Sequence, residues 1–150
     1  MNIIVDTNIV FSALVKTNGK IGDLILRSEN YFKYYSCRYL LQEIANHRDK
    51  LIKASQLSEF ELIEIEYLVF DRITFLSEEQ IPKPILYRSI ELVKDIDLRD
   101  VLFIALGKHL NCKVWTGDKK LINGLKKKGY NELITTDELF LLREKMIKGY

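Results

Sequence analysis

Short β-rich runs alternate with helical stretches along this chain. Residues 3–5 form an apolar run that stops at Asp6, the mark of a buried first strand. Residues 9–16 have helical propensity and end before Asn18 and Gly19, a stop signal. Ile21, Leu24, Ile25 and Ser28 share one face of a second short helix over 21–28. Residues 31–36 are aromatic-rich and strand-like. Apolar positions 40, 41, 44, 45, 51 and 52 predict one helix over 38–53, with Glu43 near its beginning.

The second half repeats the alternation. Ser58 and Glu61 have capping-box spacing and open a helix with Phe60, Ile63 and Tyr67 in register. Residues 73–76 form a short strand, and Pro82 and Pro84 keep the next helix from beginning much before residue 83. Residues 85–94 are helical. The helix over 98–110 is apolar around most of its circumference, and so central. A strand over 113–116, a basic helix over 119–128 closed by Gly129, and a strand over 132–135 follow, with Asp137 expected to cap a last helix over 138–148. This order predicts an α/β domain with a mainly parallel sheet. At 150 residues the chain is read as one domain, 1–150. The pattern alone does not fix the strand order.

Composition narrows the class. Apolar residues at 47% and charged residues at 29% argue against disorder. The longest apolar stretch, 101–106, is far too short to cross a bilayer, and the first residues lack the features of a signal peptide. A cytoplasmic protein without membrane attachment is expected. Cys37 and Cys112 border strands at opposite ends, which predicts free thiols and no zinc site. A net charge of +2 does not by itself demand a nucleic-acid partner, but Lys119, Lys120 and Lys126 to Lys128 lie around Asp118, and Arg48, Lys50 and Lys53 follow Glu43.

The candidate chemistry is acidic. Asp6 and Asn8 follow the first strand, and Asp118 follows Thr116 and Gly117 after a later one. Ligands of open α/β sheets bind at the carboxyl edge, where both strands end. Each residue also has an ordinary use: Asp6 as a helix N-cap, Asn8 as a turn residue, Asp118 in a turn that Gly117 permits. Glu43 lies one turn into a helix near the same edge. Asp95, Asp97 and Asp100 precede the most hydrophobic helix, with Asp97 its expected N-cap and Asp100 on the same face. Such acids repel one another unless a cation or strong donors neutralise them. With only His47 and His109 in the chain, no Ser-His-Asp set is formed. An all-carboxylate group suits Mg²⁺ or Mn²⁺, which activate water for phosphate displacement.

These residues resemble the PIN domain, the metal-dependent ribonuclease fold of VapC-type toxins. The carriers are Val5, Asp6, Thr7 and Asn8; Glu43; the run from Asp100 to Leu106 with Asp97 a turn before; and Thr116, Gly117 and Asp118. The resemblance implies a three-layer α/β/α fold whose five-stranded sheet has the order 3-2-1-4-5. It implies a Mg²⁺ or Mn²⁺ site built from Asp6, Glu43, Asp100 and Asp118, with Asp97 as auxiliary acid and Asn8 and Thr116 orienting the carboxylates. It further implies single-stranded RNA as substrate, homodimerisation, and often an antitoxin from a neighbouring gene. Lys119, Lys120 and Arg48 are then expected to contact RNA phosphates.

Two other readings compete. A haloacid-dehalogenase-type phosphotransferase also places an Asp after its first strand, but needs a second acid where this chain has Asn8. A PIN-like module that binds RNA or protein without cutting is the non-enzymatic alternative. The stretch 55–83 suits either dimerisation or antitoxin binding.

Overall fold

A computed structural model describes residues 1–149. Its five parallel strands stand in the order β3-β2-β1-β4-β5. They are β1 (Asn2–Val5), β2 (Lys33–Cys37), β3 (Ile73–Leu76), β4 (Lys113–Trp115) and β5 (Leu133–Ile134). Helices cover both faces in a three-layer α/β/α arrangement: α1 (Thr7–Val15), α2 (Lys20–Leu26), α3 (Arg38–Asn46), α4 (Arg48–Ser55), α5 (Glu59–Asp71), α6 (Lys83–Val93), α7 (Val101–Leu110), α8 (Lys119–Lys127) and α9 (Thr136–Ile147). Among the described residues, no helix is long and apolar enough to cross a membrane.

The register decides where the chain's polar residues meet. Ile4 pairs with Val114 and Val5 with Trp115, so β1 and β4 end level with each other. Asp6 and Thr116 therefore leave the sheet side by side. Successive strands step outward from β1 in one direction as β2 and β3, and in the other as β4 and β5. The order thus reverses between β1 and β4, and the crevice above such a reversal is the natural binding place of an open parallel sheet.

Buried apolar strands hold this edge in place. Ile3, Ile4 and Val5 are fully buried, as is Trp115, whose indole N–H donates to Thr136 Oγ1 at 3.0 Å. Helix α7 packs on β1, β2 and β4 and against α6. It approaches β4 closely at Gly107, where a Cβ would stand 2.8 Å from Val114 Cγ2. The run expected to be central is buried from Phe103 to Gly107.

The structure departs from the periodicity in three places. The helix predicted over 38–53 breaks at His47, whose N–H is shared by the Glu43 and Ile44 carbonyls. No buried apolar side chain lies between Ile44 and Leu51 to hold a straight continuation. Arg48, just past the break, turns to α5, donating to Glu66 at 2.7 Å and Glu59 at 3.1 Å. A 3-10 turn over Leu98–Asp100 precedes α7, with Asp97 capping that turn through the Arg99 N–H. The last helix is capped by Thr135 rather than Asp137: Thr135 Oγ1 accepts from Glu138 N at 3.2 Å, while Asp137 pairs with Lys20 at 2.7 Å. Threonine three residues before Glu138 is itself a capping-box spacing, which explains the earlier start.

Other expectations hold. The α5 capping box of Ser58 and Glu61 is complete. Gly129 closes α8 at φ 81°, and Cys37 and Cys112 are free thiols. Gly117 differs from expectation: its backbone does not enter the left-handed region, and a Cβ there would meet nothing within 4 Å.

Candidate functional site

Asp6 is almost wholly buried at the mouth of the β1–β4 crevice. Its Oδ1 accepts from Ile9 N at 2.9 Å, so it caps α1 and is fixed by doing so. Asp118 has the same arrangement after β4: its Oδ1 accepts from Lys120 N at 3.0 Å and Leu121 N at 3.2 Å. Thr116 lies between them, fully buried, its Oγ1 accepting from Asp118 N at 3.1 Å. Glu43 comes from α3 and accepts a 2.5 Å hydrogen bond from the Thr7 hydroxyl. Asp97 and Asp100 enter from the turn before α7. Asp97 is held by Arg99 through both oxygens, at 3.1 and 2.9 Å.

Asp6, Glu43, Asp97, Asp100 and Asp118 line one cleft of about 290 Å³, with Asn8 on its rim. The topology thus collects five carboxylates from four segments of chain. His47, Lys50 and Arg99 supply the cleft's own basic groups. Lys50 lies 5.6 Å over the ring of Phe11, which lines the same wall.

Electrostatics separate these acids. Burial pushes Asp6 up to about 6, with Asp118 and Glu43 adding to the rise and the Ile9 N–H and Thr116 hydroxyl opposing it. Burial also pushes Asp100 up to about 7, reinforced by the charges of Asp6, Asp97 and Asp118. One Asp100 oxygen, Oδ2, is buried and has no hydrogen-bond partner. Asp97 goes the other way, its carboxyl held below the usual range by Arg99. Closely spaced acids that raise one another in this way are stabilised by a cation placed among them.

The fit to a divalent ion has two sides. Among the described residues, no group of three or more His, Cys, Asp or Glu side chains converges tightly enough to hold a metal ion as they stand. Asp6 and Asp118 are turned to helix N–H groups, Glu43 to Thr7, and Asp97 to Arg99. The donor chemistry nevertheless fits a hard cation. Every acid offers oxygen, Asp100 Oδ2 has no other partner, and the raised carboxyls would lose their mutual repulsion on binding one.

The expected phosphate-contacting residues are placed differently from one another. Lys119 and Lys120 open α8 beside Asp118, exposed and outside the cleft lining. Lys120 is close enough for its charge to act on Asp97. Arg48 is not in the cleft: its guanidinium is committed to Glu59 and Glu66. In its place the cleft wall has Lys50, which follows Glu43 in sequence as Arg48 does, together with His47 and Arg99, which the sequence reading missed. Arg99 alone carried a signal, as a base set between two acids.

A model of the PIN domain matches residues 4–139. The chain belongs to the PIN domain family. PIN domains are generally nucleases, typically dependent on divalent metal, and members often act on RNA and pair with antitoxins. Membership agrees with the 3-2-1-4-5 sheet and leaves no place for the haloacid-dehalogenase reading. No curated protein matches the chain.

Proposed function

We propose that this PIN domain is a Mg²⁺- or Mn²⁺-dependent endoribonuclease that hydrolyses phosphodiesters of single-stranded RNA. The observation that carries the reading is the buried, partnerless Asp100 Oδ2 among Asp6, Asp97 and Asp118 at the sheet's reversal point. Asp6, Asp100 and Asp118 would hold the ion, with Glu43 and Asp97 adding carboxylates around it. A divalent ion bound there supplies a more acidic water and neutralises charge on the phosphate. Glu43, steadied by Thr7, is suited to orient the attacking water and receive its proton. Thr116 and the α1 and α8 N–H groups keep Asp6 and Asp118 in position, and Asn8, which lines the same cleft, would orient them further. Lys50 and Arg99 present positive charge to the backbone of an entering strand, with His47 beside them and Lys119 and Lys120 extending the charge along α8.

A cytoplasmic toxin role, a cognate antitoxin and homodimerisation complete the reading, on the strength of the resemblance to VapC-type proteins. A second reading has one observation in its favour: Asp6, Glu43, Asp97 and Asp118 each already accept from a local donor, as suits a PIN-like module that binds RNA or protein without cutting. Incubation of purified protein with RNA and Mn²⁺ separates the two. Cleavage that falls at least about 100-fold in Asp6→Asn and Asp100→Asn, with folding intact by circular dichroism, is the expected result. Cleavage unchanged by Asp6→Asn, or no heat of Mn²⁺ binding by calorimetry, overturns the nuclease.

A further inference from the structure

We propose that Glu78 is a positioning residue that holds α3, and with it Glu43, against the cleft; the inference rests on the nuclease reading. The first N–H groups of a helix have no acceptor within it. Cys37, at the N-cap of α3, makes no side-chain cap bond. Little else anchors this helix: it is nine residues long, ends at the His47 break, and has Leu40 and Ile44 as its buried residues. The missing acceptor comes from another part of the chain. Glu78 Oε1 accepts from Tyr39 N at 2.6 Å, across a separation of 39 residues.

Sheet register brings the two together. Cys37 on β2 pairs with Leu76 on β3, so these strands end level. A 3-10 turn, Glu78–Gln80, follows β3, and Ser77 caps it by accepting from Glu79 N at 3.4 Å. That turn sets Glu78 beside the start of α3, where a carboxylate satisfies the N–H and meets the positive end of the helix dipole. The Cys37 thiol adds no second charge there: burial pushes it up to about 12, and the charge of Glu78 contributes to the rise. Glu43 lies one turn beyond Tyr39, on the same face of the helix. The Thr7 hydroxyl holds it there at 2.5 Å. Helix α3 is thus pinned at two points, by Glu78 at its start and by Thr7 at Glu43. Loosening the first lets Glu43 drift from the water it orients, and a small misplacement of that kind slows turnover steeply. Arg99, Lys119 and Lys120, which face the RNA backbone, lie on other elements and stay in place.

Steady-state RNA cleavage with Mn²⁺, alongside hydrogen exchange of the full chain, tests this. Glu78→Ala should lower kcat about tenfold while KM stays within about twofold. It should also open the Tyr39 N–H to exchange. Glu78→Gln, whose amide oxygen still accepts, should restore both kcat and protection. Glu78→Asp, one methylene too short, should behave as Glu78→Ala does and carries the test if the alanine variant fails to fold. In a Glu43→Gln background Glu78→Ala should lower kcat no further, because the two act as one unit. Ser58→Ala, which breaks the α5 cap away from the cleft, should leave kcat unchanged. An unaltered kcat in Glu78→Ala or Glu78→Asp, a loss that Glu78→Gln does not rescue, a further loss in Glu43→Gln, or an equal loss in Ser58→Ala overturns the inference and leaves the nuclease reading standing. No cleavage by the parent overturns both.

Discussion

Replacing Asp100 with Asn should stabilise the fold at pH 8 while removing cleavage. The Asp100 carboxyl is raised from 3.8 to about 7, chiefly by burial and then by Asp6, Asp97 and Asp118. In the unfolded chain it titrates near 4. Between these values the native protein holds more protons than the unfolded one, so stability is fully present below about pH 4 and is lost as pH rises through about 7. Roughly 3 units at about 1.36 kcal/mol each set an upper figure of about 4 kcal/mol. Part of that rise belongs jointly to the neighbouring acids and part is screened by water at the cleft mouth. A net gain of about 2 kcal/mol at pH 8 is therefore expected for Asp100→Asn, whose amide can donate where the carboxylate had no partner. Urea unfolding in EDTA at pH 5 and pH 8 measures it. The parent should weaken from pH 5 to pH 8, and the variant should weaken less, its midpoint at pH 8 rising by about 1 M. A variant no more stable than the parent at pH 8 would refute the claim that Asp100 is ionised there at a cost.

Arg48→Ala should lower stability by roughly 1–2 kcal/mol in the same urea assay, because it leaves the mostly buried Glu66 without its partner, and should leave RNA affinity unchanged. Lys50→Ala, which removes a base from the cleft wall, should do the reverse in a filter-binding titration. Thr135→Ala should cost about 1 kcal/mol through loss of the α9 cap, whereas Asp137→Ala, which removes an exposed ion pair, should stay within about 0.5 kcal/mol by thermal denaturation. Arg143, 7% exposed and bonded to Ser28 and Asp23, joins α9 to α2, and Arg143→Ala should cost roughly 3 kcal/mol.

Much of this fold is written in local pattern, and the places that are not have physical causes. β1, β4 and β5 were legible as short, largely buried apolar runs, β2 by its aromatic residues, and α7 because it is apolar nearly all round. The break at His47 was not, since residues 45–50 contain no periodic signal that distinguishes a bend from a solvated helix face. What bends the chain there is Arg48 reaching α5, a contact between distant segments. His47, missed as a lining residue, stands at that break, and Lys50 follows one turn beyond it on the cleft wall. Arg48, Lys50, Lys119 and Lys120 all lie near acids in sequence, and of these Lys50 alone lines the cleft. Sequence neighbours on a helix point apart, and only tertiary packing shows which base faces the acids.

The acids themselves were legible for a reason that lies in the geometry of parallel sheets. Sequence sets the ordinary reading of Asp6, a helix cap, against the functional one, a carboxylate at a binding edge. In the folded chain the two are the same arrangement. A helix that starts directly after a parallel strand begins at the sheet's carboxyl edge, so its N-cap residue must stand there. Asp6 and Asp118 each accept N–H bonds through Oδ1 from the helix that follows, and those bonds fix both carboxylates in the wall of the cleft. Asp100 lacks such a bond, and its partnerless Oδ2 is raised further than Asp6 for that reason among others. Capping thus sets two acids in place and spares them part of the burial cost, and the third, uncapped, is left as the group with most to gain from a cation.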